Sequence, residues 1–165
     1  TDYLTFASTA PKSPGNLMVY VLDQTEKMDA FVDAFADKHA LIPFRTNSKP
    51  EVSWDIDIPF KERIQPPLEE WLRGFADAEF VLTDSFHACV FSILFHKSFG
   101  VFINRHRGLS RIESLLSPLG LMDRCISDSS KQLDSVIDWS RVDDTLAQWR
   151  KKSMDFLWDA LESNE

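Results

Sequence analysis

The 165-residue sequence is short of glycine (5), proline (8) and cysteine (2). So little glycine and proline excludes collagen-like and low-complexity chains, and 44% hydrophobic residues exclude a disordered one. Two cysteines cannot frame a disulfide-stapled fold. Cys89 and Cys125 also lack metal-ligand spacing, so reduced, packed thiols are expected and no metal is called for. No apolar run reaches the roughly 18–20 residues that cross a bilayer. Basic residues are in deficit, 18 Lys+Arg against 26 Asp+Glu for a net charge of −8. The overall field therefore opposes nucleic acid and anionic membranes, and an anionic ligand needs a local basic pocket. No basic stretch followed by an apolar one opens the chain, so nothing argues for secretion. The first residue is Thr1 and not Met, which is expected of a piece of something longer. Dinucleotide, P-loop and α/β-hydrolase glycine signatures are missing, which disfavours the common nucleotide sites and the serine nucleophile elbow.

What is present is an alternation of short apolar runs and helical periods. Leu17 to Leu22 is a β-prone run entered through Pro14-Gly15 and closed by Asp23. Thr25 can cap a helix whose apolar residues Met28, Phe31, Val32 and Phe35 recur at helical spacing. Ala40–Phe44 is a weaker run, and the segment through Pro50, Trp54, Pro59 and Pro66-Pro67 reads as a long loop with at most a minor strand. Pro67 starts a second helix marked by Leu68, Trp71, Leu72 and Phe75. Phe80–Thr83 is the next strand, Ala88–Phe95 a helix apolar nearly all round, and Phe99–Ile103 another strand. Ser110 caps a helix with inner residues Ile112, Leu115, Leu116 and Leu119, ended by Gly120. The polar stretch Ser127–Lys131 reads as a linker. The last long helix starts near Ser140 and carries Val142, Leu146, Trp149, Phe156, Leu157 and Leu161. This order predicts an α/β chain of βαβ units: a Rossmann-like, three-layer single domain over residues 1–165 with a mostly parallel sheet.

In such sheets ligands gather at the carboxyl ends of strands. Two of these ends are unusually polar. Thr83-Asp84-Ser85-Phe86-His87 is a tight strand-to-helix junction, where free N–H groups and the helix dipole favour an anion and a histidine adds a donor. The alternative is that Asp84 or Ser85 only caps the helix while His87 fills space. Asn104-Arg105-His106-Arg107-Gly108-Leu109-Ser110-Arg111 follows the next strand and supplies three planar, always-charged donors suited to phosphate or carboxylate. The alternative there is a solvated loop pairing with surface acids. His39 and His96 are expected to cap helix carbonyls. Trp71, Trp149 and Trp158 are expected in the core, while Trp54 is a weak candidate for a sugar platform.

Taken together, Pro67-Leu68-Glu69-Glu70-Trp71-Leu72, Ala78-Glu79-Phe80-Val81-Leu82-Thr83-Asp84-Ser85-Phe86-His87, Phe91-Ser92-Ile93 and Arg107-Gly108-Leu109-Ser110-Arg111-Ile112 resemble the polysaccharide pyruvyl transferase family. The resemblance runs from about Pro66 to Arg124 and, more diffusely, covers Leu17 to Phe35. The sequence departs from the usual pattern at Ala88-Cys89, where relatives commonly carry Gly and often Thr, and at Lys97-Ser98, where they often carry Lys-Pro.

The resemblance implies the C-terminal, donor-binding half of a two-domain enzyme of GT-B type. Such an enzyme transfers a pyruvyl group from phosphoenolpyruvate to two sugar hydroxyls, making a pyruvate ketal on a bacterial surface or capsular polysaccharide. In that scheme His87 is the catalytic residue, as general acid or as phosphate donor. Arg107 and Arg111 clamp the anion with Arg105 in support, and Thr83, Asp84, Ser85, Asn104 and Ser110 complete the binding set. No cofactor beyond the donor is implied. The protein is expected to be cytoplasmic, near the inner face of the membrane, and its acceptor a lipid-linked saccharide bound largely by an N-terminal domain, so the chain alone is expected to bind donor weakly and to be inactive. Two other readings stay open: a glycosyltransferase half that binds a nucleotide sugar, and a non-catalytic domain that docks through the apolar terminal helix.

Overall fold

The computed structural model describes residues 2–46, 64–103, 109–128 and 131–162. A short helix, α1 (Asp2–Ala7), precedes β1 (Leu17–Tyr20), α2 (Glu26–His39) and β2 (Pro43–Arg45). Then come α3 (Leu68–Asp77), β3 (Phe80–Thr83), α4 (Phe86–Leu94), β4 (Ser98–Phe102) and α5 (Leu109–Leu119). A 3₁₀ turn (Met122–Arg124), β5 (Cys125–Ile126) and the long α6 (Trp139–Glu162) close the described chain. Every strand pairing is parallel and the order is β2-β1-β3-β4-β5. The expected α/β, Rossmann-like three-layer fold is therefore present, with a sheet that is wholly parallel.

Strand alternation sorts the core into two layers. Met18, Val81, Phe99 and Val101 face one side and pack with Phe75 of α3, Ala88, Cys89 and Ile93 of α4, Ile112 and Leu116 of α5 and Val142 of α6. Leu17, Val19, Phe80, Leu82 and Phe102 face the other side, against Phe31, Val32 and Phe35 of α2. Strands buried on both faces must be apolar at successive positions, which is why LMVY and FVLT carry no alternation. Gly74 lets α3 lie close on β1, since a Cβ there would stand 3.0 Å from Met18 Sδ. Gly100 makes room for Leu133, whose Cδ1 would be 2.5 Å from an added Cβ.

Local signals act as the sequence leads one to expect at several ends. Thr25 Oγ1 accepts from the Met28 N–H at 3.3 Å, and Gly120 ends α5 with φ 71°. Others differ. Ser110 lies inside the first turn of α5 and does not precede it. Leu68 begins α3 pointing outward, 59% exposed. Leu133, just past the expected linker, is core, and β5 and α1 are too short to produce a period. His39 and His96 do not cap carbonyls: their Nε2 atoms lie 3.6 Å from Asp134 and 2.9 Å from Asp143, while the His39 ring packs tilted against Phe35 and His96 stacks on Trp139. Trp71 packs in the core between Tyr20, Phe75 and Phe91, whereas Trp149 and Trp158 are exposed. Only the first turns of α6 are seated, by Val142 and Leu146, and its far half exposes Phe156, Leu157, Trp158 and Leu161. Trp54 lies outside the described residues. Among the described residues no helix is long and apolar enough to cross a membrane.

At the edge opposite the carboxyl ends, Asp77 takes the Ser13 N–H at 2.8 Å and Arg73 Nε at 2.7 Å. Burial pushes its carboxyl up, but these bonds outweigh burial and hold it below the usual carboxylate range. A depressed folded pKa contributes stability above the unfolded value, about 3.9, and loses it as pH falls through the folded value. The stability gap between wild type and Asp77→Asn is therefore widest at neutral pH and narrows below about pH 4 in urea unfolding at stepped pH. In the same assay, Phe99→Ala, which empties a fully buried position, costs about 3–5 kcal/mol, while Phe156→Ala, 75% exposed, moves stability by less than about 0.5 kcal/mol.

Candidate functional site

The strand order reverses between β1 and β3. From β1 the chain steps outward to β2, then returns past β1 to β3 and continues the opposite way. The crossover α2 lies on one face and α3, α4 and α5 on the other, so the loops leaving β1 and β3 part and leave a crevice at their carboxyl ends. The residues at this point are Tyr20 to Asp23 after β1 and Thr83 to His87 after β3, with Tyr20 and Thr83 paired in register.

The polar side chains here are bonded across the two strand ends. Thr83 Oγ1 donates to the Tyr20 carbonyl at 2.5 Å and accepts from the Ser85 N–H at 3.0 Å. Asp84 Oδ1 accepts from the Leu22 N–H at 2.8 Å and Oδ2 from the Asp23 N–H at 2.9 Å. Asp84, 3% exposed, is thus a buried carboxylate bonded to two backbone donors of the neighbouring turn. It does not cap α4. Neither does Ser85, which holds the N-cap position without a side-chain bond to the first turn. The N–H groups and positive dipole end of α4 are therefore not claimed by the cap. His87, in that first turn, is exposed and fills no core space.

The second polar stretch meets this junction through one contact. Arg111, in the first turn of α5, sets its guanidinium carbon 5.8 Å from the centroid of the Phe86 ring. Phe86 is the residue between Ser85 and His87, so an exposed cation stands beside the N-terminus of α4. Ser110 is exposed in the same turn as Arg111. Asn104, Arg105 and Arg107 lie outside the described residues. Of the expected set, Thr83, Asp84, Ser85 and His87 thus share one junction, and Arg111 joins it from the next helix.

In the sequence Tyr20, Leu22 and Asp23 read only as the end of the first strand, not as site residues. No local signal ties them to the Thr83–His87 stretch, which they meet through the β1–β3 pairing. Burial pushes the Tyr20 phenol up and the Asp84 charge pushes it further, so the hydroxyl stays protonated at neutral pH. Cys89 is fully buried in the core. Burial, with smaller contributions from Cys125 and Asp84, pushes its thiol up to about 12. Both cysteines are free. Among the described residues no group of three His, Cys, Asp or Glu side chains is placed to hold a metal.

A family model described as polysaccharide pyruvyl transferase matches residues 21–106, just over half of the chain. The match takes in the whole Thr83–His87 junction and ends before α5. No curated protein and no solved structure matches the chain.

The buried thiol gives a direct check of the packing around the junction. At pH 8 a thiol of pKa about 12 is roughly one part in ten thousand thiolate, so in a Cys125→Ser background Cys89 stays unreactive toward a chromogenic disulfide until the protein is unfolded.

Proposed function

The chain belongs to the polysaccharide pyruvyl transferase family, and on that premise we propose that it is the donor-binding half of an enzyme that moves a pyruvyl group from phosphoenolpyruvate to two hydroxyls of a surface or capsular polysaccharide. One observation carries the reading: the Arg111 guanidinium stands over Phe86, beside a helix N-terminus whose first turn bears His87. In a chain of net charge −8, a cation, a helix N-terminus whose Ser85 N-cap side chain makes no cap bond and an exposed imidazole form a local anion site in this reading.

The chemistry fits a donor of this kind. Phosphoenolpyruvate carries a phosphate and a carboxylate, and both need donors before a hydroxyl approaches C2. The N–H groups of α4 receive one anionic group and Arg111 the other, with Arg107 and Arg105 completing the clamp in this proposal. One acceptor hydroxyl bonds to C2 while the methylene carbon gains a proton and becomes a methyl group. The C2–O bond to phosphate then breaks and the second hydroxyl closes the ketal. The two hydroxyl protons thus end on the methyl group and on the departing phosphate, so charge and atoms balance without an external oxidant or reductant. His87, within reach of the α4 N-terminus, donates to the phosphate oxygens as they gain charge.

The test is an amide-shift NMR titration of the chain with phosphoenolpyruvate, inorganic phosphate and a UDP-sugar. Phosphoenolpyruvate should shift the amides of Ser85, Phe86 and His87 selectively. His87→Ala and Arg111→Ala should each raise its dissociation constant about tenfold or more, the size expected for one charge-assisted hydrogen bond. Preference for the UDP-sugar, or an intact fold that ignores phosphoenolpyruvate, defeats the reading.

A further inference from the structure

Within the Thr-Asp-Ser-Phe-His stretch the hydrogen bonds divide the residues into two groups. Thr83 and Asp84 direct their side-chain bonds inward: Thr83 to the Tyr20 carbonyl and the Ser85 N–H, Asp84 to the Leu22 and Asp23 N–H groups. Both are buried, at 0% and 3% exposure. Ser85 and His87 make no such cross-strand bond; Ser85 leaves the helix turn uncapped and His87 is exposed. We infer that Thr83 and Asp84 are positioning residues that touch no ligand: they lock the turn after β1 to the start of α4 and so hold the α4 N–H groups in a geometry that receives an anion. The ligand half of this inference rests on the donor reading above.

The inference has a sign that a plain charge effect does not. Asp84 is an anion beside a site for a more highly charged anion, so by Coulomb repulsion alone its neutralisation tightens donor binding. If the carboxylate is a lock, neutralisation loosens binding, because one oxygen no longer accepts and the Leu22–Asp23 turn is released. Asp84→Asn keeps the shape and removes the charge and one acceptor. Thr83→Val keeps the volume of a buried residue and removes the hydroxyl, while Thr83→Ser restores it.

The experiment measures amide hydrogen exchange and phosphoenolpyruvate affinity on the whole chain in these three variants. Leu22 and Asp23 amides should exchange at least about tenfold faster in Asp84→Asn than in wild type, the effect of losing a bond to a charged acceptor. Phosphoenolpyruvate should bind about tenfold more weakly to Asp84→Asn and Thr83→Val, with wild-type affinity returned by Thr83→Ser. Unchanged exchange at Leu22 and Asp23 overturns the lock. Tighter or equal donor binding by Asp84→Asn overturns the positioning role. A wild-type chain silent to both phosphoenolpyruvate and inorganic phosphate removes the donor reading and the ligand half with it, and the lock then stands or falls on exchange alone.

Discussion

The pairing of β1 with β3 is the constraint on which the rest of the molecule depends. These strands are separated in the chain by α2, β2 and α3, yet they lie side by side in register from Leu17–Phe80 to Tyr20–Thr83. Because the chain leaves β1 in one direction and returns to continue in the other, the helices are sent to opposite faces. The crevice, the two core layers and the meeting of the two turns all follow from that reversal.

The reversal places polar groups where water is scarce, and the structure answers with hydrogen bonds. Leaving a buried donor or acceptor unpaired costs about 1–3 kcal/mol, and Thr83, Asp84 and Ser92 are all bonded at full burial. A second tie works at the β5 side. Arg124, 1% exposed, bonds Asp123, and Asp123 also accepts from Ser135 Oγ at 2.7 Å. Burial pushes Asp123 up, yet these two bonds hold it below the usual carboxylate range. That chain fastens the stretch carrying Leu133, which packs over Gly100. Among the described residues Arg124 Nε and Nη1 have no hydrogen-bond partner.

Much of the fold was legible because it is written in local periods. Apolar runs at Leu17, Phe80 and Phe99 are strands, since a parallel sheet buries both faces and leaves no alternation. Thr25, Pro67 and Gly120 mark helix ends through backbone geometry that each residue carries with it. The failures have equally plain causes. Trp149 and Trp158 lie on an apolar stripe that continues past the part of α6 seated on the domain, and periodicity cannot report where a helix leaves its support. His39 and His96 found carboxylates from distant segments, which no reading of helix ends contains.

At the Thr83–His87 junction, the sequence by itself determined a polar strand-to-helix boundary and arginines after the next strand, because residue chemistry and such a boundary are local facts. It also carried the family. Only the tertiary structure decided which of those residues are engaged within the protein: Asp84 could serve as cap, ligand or lock by its chemistry alone. Its partners, the Leu22 and Asp23 N–H groups, lie some sixty residues away and reach it only because β1 and β3 are neighbours. By turning each Asp84 oxygen onto a backbone donor of the other strand's turn and burying the residue, the fold ties it to Leu22 and Asp23, whereas His87 in the same stretch is exposed.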